Sequence, residues 1–360
     1  MTLEPFYDPE KSYEDNFAQG PFGAFSDGKI LNPIGKTYGV YDFLGFKVNS
    51  PFGIAAGPLL NGKFIKAALD KGFDIPMHKT VRTKPRPSNL WPNVLPIDVV
   101  GDLTLEKASL PLHTKDVFEE PLSITNSFGN PSFEPSVWQA DLKSAVAYAK
   151  KGQIVSASFE GTRWSGYSEE DYVNDWVLAA KLLKETGVHF IEANLSCPNE
   201  GITSLLCFDV SRVETITKAI KKEIGSLPLM IKISYFPDEK GLHELVKRVG
   251  NIVDGFSAIN TISAEVVDKE GKQVLPGEGR LRSGVCGASI KWAGLDMVKK
   301  LKKLREELGY SYNIIGVGGV TTADDFFEYR DAGADIVMSA TGAMWNPYLA
   351  REIAAKLKKG

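Results

Sequence analysis

The sequence predicts an α/β fold: a (β/α)8 TIM barrel with an N-terminal arm and long active-site loop insertions. Eight short apolar runs alternate with amphipathic stretches, the pattern of βαβ units in a parallel sheet. The count matches the strands that close such a barrel. The densest glycine turn, Gly316-Val317-Gly318-Gly319, follows the seventh run, whereas a doubly wound open sheet needs its glycine turn directly after the first strand.

In chain order, residues 1–50 hold Gly, Pro and aromatics without a sustained period. They are expected to form an arm packed on the body through Phe6, Tyr7, Phe22 and Phe25, because disordered segments carry few aromatics. Residues 51–360 are expected to form the barrel. Its runs are Phe52–Ala56, Ile75–Lys79, Ile154–Phe159, Phe190–Leu195, Leu229–Ile233, Phe256–Asn260, Asn313–Val317 and Asp335–Ser339. Between them, Asp171–Thr186, Val210–Ile224, Leu242–Ile252 and Leu295–Leu308 repeat apolar residues at three- and four-residue spacing, as helices do. Over seventy residues separate Lys79 from Ile154, with a further run at Leu122–Thr125. An excursion of that length is usually functional, and this one leaves the C-terminal face of the barrel. A second, Ser263–Gly287, leaves the same face after the sixth strand.

The 360 residues are 43% hydrophobic and 24% charged, with a net charge of −3. That balance gives no electrostatic reason to expect nucleic acid or an anionic membrane as partner. Three cysteines, Cys197, Cys207 and Cys286, argue for a reducing compartment. They have no metal-ligand spacing with the four histidines, so no metal site is expected. The first twenty residues contain early acids and no apolar run, so neither a leader nor a span is expected and the location is expected to be cytoplasmic.

The richest stretch is Glu192-Ala193-Asn194-Leu195-Ser196-Cys197-Pro198-Asn199. Its bland reading is a strand end followed by turn-forming Asn and Pro. Its functional reading is a set of amides, a hydroxyl and a thiol where barrel enzymes keep their catalysts. The run ANLSCPN resembles the motif of the dihydroorotate dehydrogenase family, in its soluble class with a cysteine base. Seven further stretches match in order: MHKT from Met77, ITNSFGNPS from Ile124, LMIKIS from Leu229, SAINTIS from Ser257, SGVCGASIK from Ser283, IIGVGGV from Ile314 and SATGAM from Ser339. The resemblance covers about residues 45 to 350.

The resemblance implies FMN as cofactor and dihydroorotate as substrate, oxidised to orotate in de novo pyrimidine biosynthesis. It implies Cys197 as the base at C5, a role a thiol of pKa ~8.5 can serve. Hydride from C6 would pass to flavin N5, since no side chain can accept it. Lys79, counted with Cys197 in the catalytic pair, and Lys232 would stabilise the reduced flavin. Substrate positions are Asn126, Asn194, Asn199 and Asn260, with Thr261, and the backbone N–H groups of Phe128, Gly129 and Asn130 would hold the carboxylate. Flavin positions are Ala55, Ala56, Gly57, Lys79, Thr80, Asn194, Lys232, Ile259, Gly284, Gly287, Val317, Gly318, Gly319, Ala340 and Thr341, the late glycines approaching the phosphate.

The pattern departs in the run Ala55-Ala56-Gly57, with alanine where related enzymes often carry serine, at Ser132 for asparagine, at Ala340 for glycine, and at Cys286 among glycines. Cys286 is expected to be a buried small residue and Cys207 a core residue. Two other readings stay open: a reductase of other cyclic amides, such as the flavin domain of dihydropyrimidine dehydrogenase, and an inert flavin-binding scaffold. Asn199, where that domain tends to carry histidine, favours the first reading. By analogy with the soluble class, the acceptor is expected to be fumarate or a similar soluble molecule, with an electron-transfer partner subunit as alternative, and the protein a homodimer.

Overall fold

The computed structural model describes residues 4–31, 39–196 and 205–358. Eight parallel strands close a barrel in sequence order: β1 (Phe52–Ile54), β2 (Ile75–Val81), β3 (Ser156–Phe159), β4 (Phe190–Asn194), β5 (Leu229–Ile233), β6 (Gly255–Ala258), β7 (Asn313–Val317) and β8 (Ile336–Ser339). Each grows from one of the eight apolar runs, and β5 and β7 have the expected bounds. The expected helices lie at Glu169–Lys184, Val210–Ile224, Glu239–Val249 and Lys291–Leu308. Three start earlier than periodicity indicates, two of them because their first turns are polar: Ser168 caps Asp171, which caps it in return, and the Asp238 side chain accepts from Lys240 and Gly241.

Alternation along each strand divides two apolar layers. Ile75, Met77, Phe190, Met230, Ile315, Ile336 and Met338 form one buried cluster with Phe43 and Val48. The residues between them, such as Ile191, Ile231, Ile314 and Val337, join the larger cluster that includes the helices. Phe43 and Val48 come from the hairpin Tyr41–Phe43/Phe46–Val48. Its two-residue turn, Leu44-Gly45, has φ of 51° and 82°, a primed turn whose twist suits a hairpin.

The two excursions do not remain loops. Leu112–His113, Ile262–Val267, Arg282–Gly287 and Ser123–Asn126 pair into a four-stranded sheet. Its register sets Gly284 opposite Asn126. Sequence distance concealed this, because the partners that join the two excursions lie over 150 residues apart. In the segment before the barrel, Phe6, Tyr7 and Phe25 are buried as expected, while Phe22 is only partly covered, with the Lys11 ammonium 5.4 Å from its ring centre.

Near the start of β2, Asp74 is buried and accepts from Ser50 Oγ (2.8 Å), Asn49 Nδ2 and Gln153 Nε2 (3.3 Å each). Burial outweighs these bonds and lifts its carboxyl from 3.8 to about 6. Between those values the native state keeps a proton that the unfolded chain has released, so this contribution to stability is lost as pH rises through the window. Asp74→Asn should therefore lose stability relative to the wild type as pH falls from 6 to 4, by on the order of 2–3 kcal/mol. Urea unfolding of both proteins across that range checks it, and parallel curves would refute the assignment.

Candidate functional site

The alternation that fills the barrel floor also aims the site. On β2, two residues beyond Met77 comes Lys79; on β4, four beyond Phe190 comes Asn194; on β5, two beyond Met230 comes Lys232. All three are buried and meet at one cavity of about 520 Å³, with Thr80, Asn126, Gly129, Asn130, Asn260, Thr261 and Gly284 around it. Lysines near the end of an apolar strand are costly to bury unless a polar site receives them. Lys79 Nζ stands 4.9 Å from the Phe128 ring centre and 5.8 Å from that of Tyr13, which supports the cation on aromatic faces.

The asparagines cluster. Asn260 Nδ2 donates to Ser196 Oγ (3.0 Å) and Asn194 Oδ1 (3.4 Å). Ser196 donates to the same Asn194 oxygen through Oγ (3.2 Å) and N (3.4 Å). Three donors on Oδ1 fix the Asn194 amide with its nitrogen left for the cavity. Asn126 is the exposed member. Thr80 Oγ1 is turned toward Ser158 Oγ (3.1 Å). Cys197 and Asn199 lie outside the described residues.

The loop after Asn126 is held by its carbonyls. Ser127 O accepts from Asn93 Nδ2 (3.1 Å), Asn89 Nδ2 (3.3 Å) and an Arg280 nitrogen (3.0 Å). Phe128 O accepts from Asn89 N (2.9 Å). A trans peptide points N–H opposite its C=O, so anchoring these two carbonyls turns the Phe128 and Gly129 amides the other way. The Asn130 side chain donates to Glu160 Oε2 (2.5 Å). Ser132 Oγ accepts from Arg82 N and donates to Phe133 O (3.0 Å each), so the serine at the departing position serves the loop itself.

An adjoining cavity of about 760 Å³ opens between the ends of β1, β5, β7 and β8. Ala55, Ala56 and Gly57 line one wall; Lys232, Ile259 and Gly287 another; Val317, Gly318, Gly319, Ala340 and Thr341 a third. The late turn needs glycine: Gly318 and Gly319 have φ of 125° and 69°, and a Cβ on Gly319 would lie 2.7 Å from the Lys291 backbone. Tyr329 OH donates to Gly318 O (2.6 Å), which directs the Gly319 N–H away from that contact. Thr341 begins a short helix to Trp345, where the first amides lack intrahelical acceptors.

Cys286, expected to be buried, is only half-buried and lines this cavity. Its small neighbours leave one face open. Its Sγ donates to Ile124 O (3.6 Å) and accepts from Thr341 Oγ1 (3.5 Å), and burial among protein atoms pushes the thiol up to about 11. Cys207 is fully buried and pushed up to about 12 by that burial.

Sequence reasoning missed several lining residues: Tyr7, Val94, Ile124, Ile290 and Met344. Tyr7 comes from the N-terminal segment. Phe6 N donates to Met344 O (3.0 Å), and the Tyr7 ring meets Phe128 edge-on at 5.5 Å. Trp91 Nε1 donates to Pro9 O (3.0 Å). The available signal was the aromatic density before residue 50, which shows that the segment packs but not against what. Among the described residues no group of three His, Cys, Asp or Glu could hold a metal ion, and no helix is long and apolar enough to cross a membrane.

Comparison with known proteins agrees with this geometry. The family described as Dihydroorotate dehydrogenase matches residues 40–360. A dihydroorotate dehydrogenase of Dictyostelium discoideum is 35% identical over 363 residues, 96% of each chain. The catalytic subunit of dihydroorotate dehydrogenase B (NAD(+)) from Enterococcus faecalis is 29% identical, over 75% of this chain and 82% of its own. Among solved structures, DHODH from Eimeria tenella in complex with ferulenol superposes with a TM-score of 0.66 at 18% identity, covering 87% of this chain and 82% of that one; it shows the shared fold. A matched barrel of eight strands, with a lysine and asparagine site at its C-terminal mouth and a family match over nearly its whole length, places this chain in the dihydroorotate dehydrogenase family.

Proposed function

We propose that this chain oxidises dihydroorotate to orotate in de novo pyrimidine biosynthesis, with FMN as its cofactor and Cys197 as its base. The observation that carries the reading is the convergence of Lys79, Lys232, Asn194 and Asn260 beside a loop whose Phe128 and Gly129 amides are turned from their anchored carbonyls. Asparagine amides match a ring bearing carbonyl and N–H groups, and paired backbone amides match its carboxylate. An analogue lacking those groups would leave buried amides unpaired.

The larger cavity fits a flavin mononucleotide. A Cβ on Gly319 would push into the Lys291 backbone, so the turn stays bare enough for its amides to approach a phosphate. Ala55, Ala56 and Gly57 present no bulky side chain to a planar ring. The flavin supplies the acceptor for the hydride leaving C6 of the substrate. Cys197 takes the C5 proton as a thiolate. Asn126, Asn194, Asn199, Asn260 and Thr261 hold the pyrimidine ring. Lys79 and Lys232 hold positive charge where negative charge accumulates on two-electron reduction. Thr80, Ile259, Gly284, Gly287, Val317, Ala340 and Thr341 shape the cofactor's bed.

The 1–50 arm and the 51–360 barrel act as one unit, because Tyr7 closes a wall of the cleft. By analogy with the soluble class we assign a soluble acceptor such as fumarate ahead of a partner subunit, a homodimer, and a cytoplasmic location. Anaerobic mixing of the flavin-loaded protein with dihydroorotate should bleach the visible flavin band within the mixing experiment. A yellow protein left unbleached would redirect the search to other cyclic amides, and a protein that takes up no FMN would overturn the flavoenzyme reading.

A further inference from the structure

From the ends of β2 and β3, behind the substrate loop, come two fully buried charges the proposed chemistry does not use. Arg82 and Glu160 are 0% and 2% exposed in their side chains and face each other at 3.1 Å. Both reach Asn130: Arg82 Nε donates to its carbonyl (3.1 Å), and Glu160 Oε2 accepts from its side-chain amide (2.5 Å). Asn130 sits at φ 48°, a left-handed conformation uncommon for a residue with a side chain and sustained only when its surroundings fix it. The pair is itself braced. Arg82 also binds Thr162 Oγ1, and Asp175 accepts from Thr162 N (2.8 Å) and Thr83 Oγ1 (2.6 Å). Glu160 N donates to Val81 O (3.1 Å).

A buried ion pair is weak support for stability, since apolar side chains of like volume often do as well, and its best-attested use is to fix register. Here both charges converge on the one left-handed residue with a side chain in the loop that carries the Phe128 and Gly129 amides. We infer that Arg82 and Glu160 are positioning residues for substrate: by gripping Asn130 at both its carbonyl and its side chain, they set the loop's amides at the spacing a carboxylate requires. Arg82, paired with Glu160, acts on the loop and leaves contact with the carboxylate to the directed amides. This rests on the proposed function, and concerns ligand affinity, not the flavin.

Two variants separate grip from scaffold. Asn130→Gly keeps the left-handed backbone available and removes the side-chain tether to Glu160; Glu160→Gln keeps an acceptor but leaves Arg82 unneutralised. Each holoprotein is titrated with orotate, followed by the perturbation of the flavin spectrum, and FMN affinity is measured separately on the apoproteins. Both variants should bind orotate roughly tenfold or more weakly, with KM for dihydroorotate rising in step, kcat within about threefold, and FMN affinity and the ligand-free spectrum unchanged. Orotate affinity within twofold of wild type in Asn130→Gly overturns the inference even if Glu160→Gln does not fold. Equal losses of FMN and orotate affinity overturn it too, since the pair would then be general scaffold. Wild-type holoprotein that binds no orotate fails the functional reading first, and is told apart because the unmutated protein fails.

Discussion

Cys197→Ala should retain bound flavin and bind orotate, yet bleach with dihydroorotate about 10²- to 10⁴-fold more slowly, the usual worth of a positioned general base. The argument is chemical. The C5 proton needs an acceptor within the site, and a thiol of ordinary pKa ~8.5 yields a few per cent thiolate at neutral pH, enough to act and readily increased by nearby cations. The two other cysteines cannot take its place: burial pushes Cys207 up to about 12 and Cys286 up to about 11, so both stay protonated near neutrality. Stopped-flow bleaching from pH 6 to 10 checks this. The wild-type rate should rise with thiol ionisation and then level, and Cys197→Ser should show no plateau in that range, because a hydroxyl does not ionise there. A Cys197→Ala protein that bleaches at the wild-type rate would remove the base assignment.

Lys232→Met should slow the same bleaching by roughly 10²- to 10³-fold, the effect of deleting one preorganised electrostatic contact. Lys232 is buried on β5 and borders both cavities, and its charge is felt at the Cys286 thiol, which it lowers against the effect of burial. Methionine nearly preserves the side-chain volume and removes a desolvated charge, so the fold should persist with an unchanged melting midpoint. Two readouts belong together: bleaching rate, and the midpoint potential of the bound flavin, which should fall because the reduced, negatively charged form loses its cation. A slower rate with an unmoved potential would make Lys232 a substrate contact instead.

Much of this molecule was legible in its sequence because barrel strands obey short-range rules. Eight apolar runs became eight strands in order, and β5 and β7 fell on the residues where the apolar stretch begins and ends. Alternation of side chains, a property of each strand alone, put Lys79, Asn194 and Lys232 at the inward C-terminal positions, and backbone sterics demanded glycine at Gly319. Boundaries drifted where polar first turns extended helices, as at Ser168, since capping is a hydrogen-bond effect without apolar period.

Pairings across long sequence distances were decided only by the tertiary structure. The sheet that sets Gly284 against Asn126, the approach of Tyr7 to Phe128, and the grip of Arg82 and Glu160 on Asn130 join segments 30 to 160 residues apart. No local pattern encodes such partners, because Arg82 and Glu160 look alone like surface charges beside a strand end, and burial follows only when the barrel closes around them. Cys286 shows the converse: its residue type suggests burial, but the cavity it faces exists only between packed strands. Local sequence fixed which atoms each strand presents, through steric and hydrogen-bonding rules acting over a few residues; which of those atoms meet is set by the closure of the sheet and the packing of its excursions over one end.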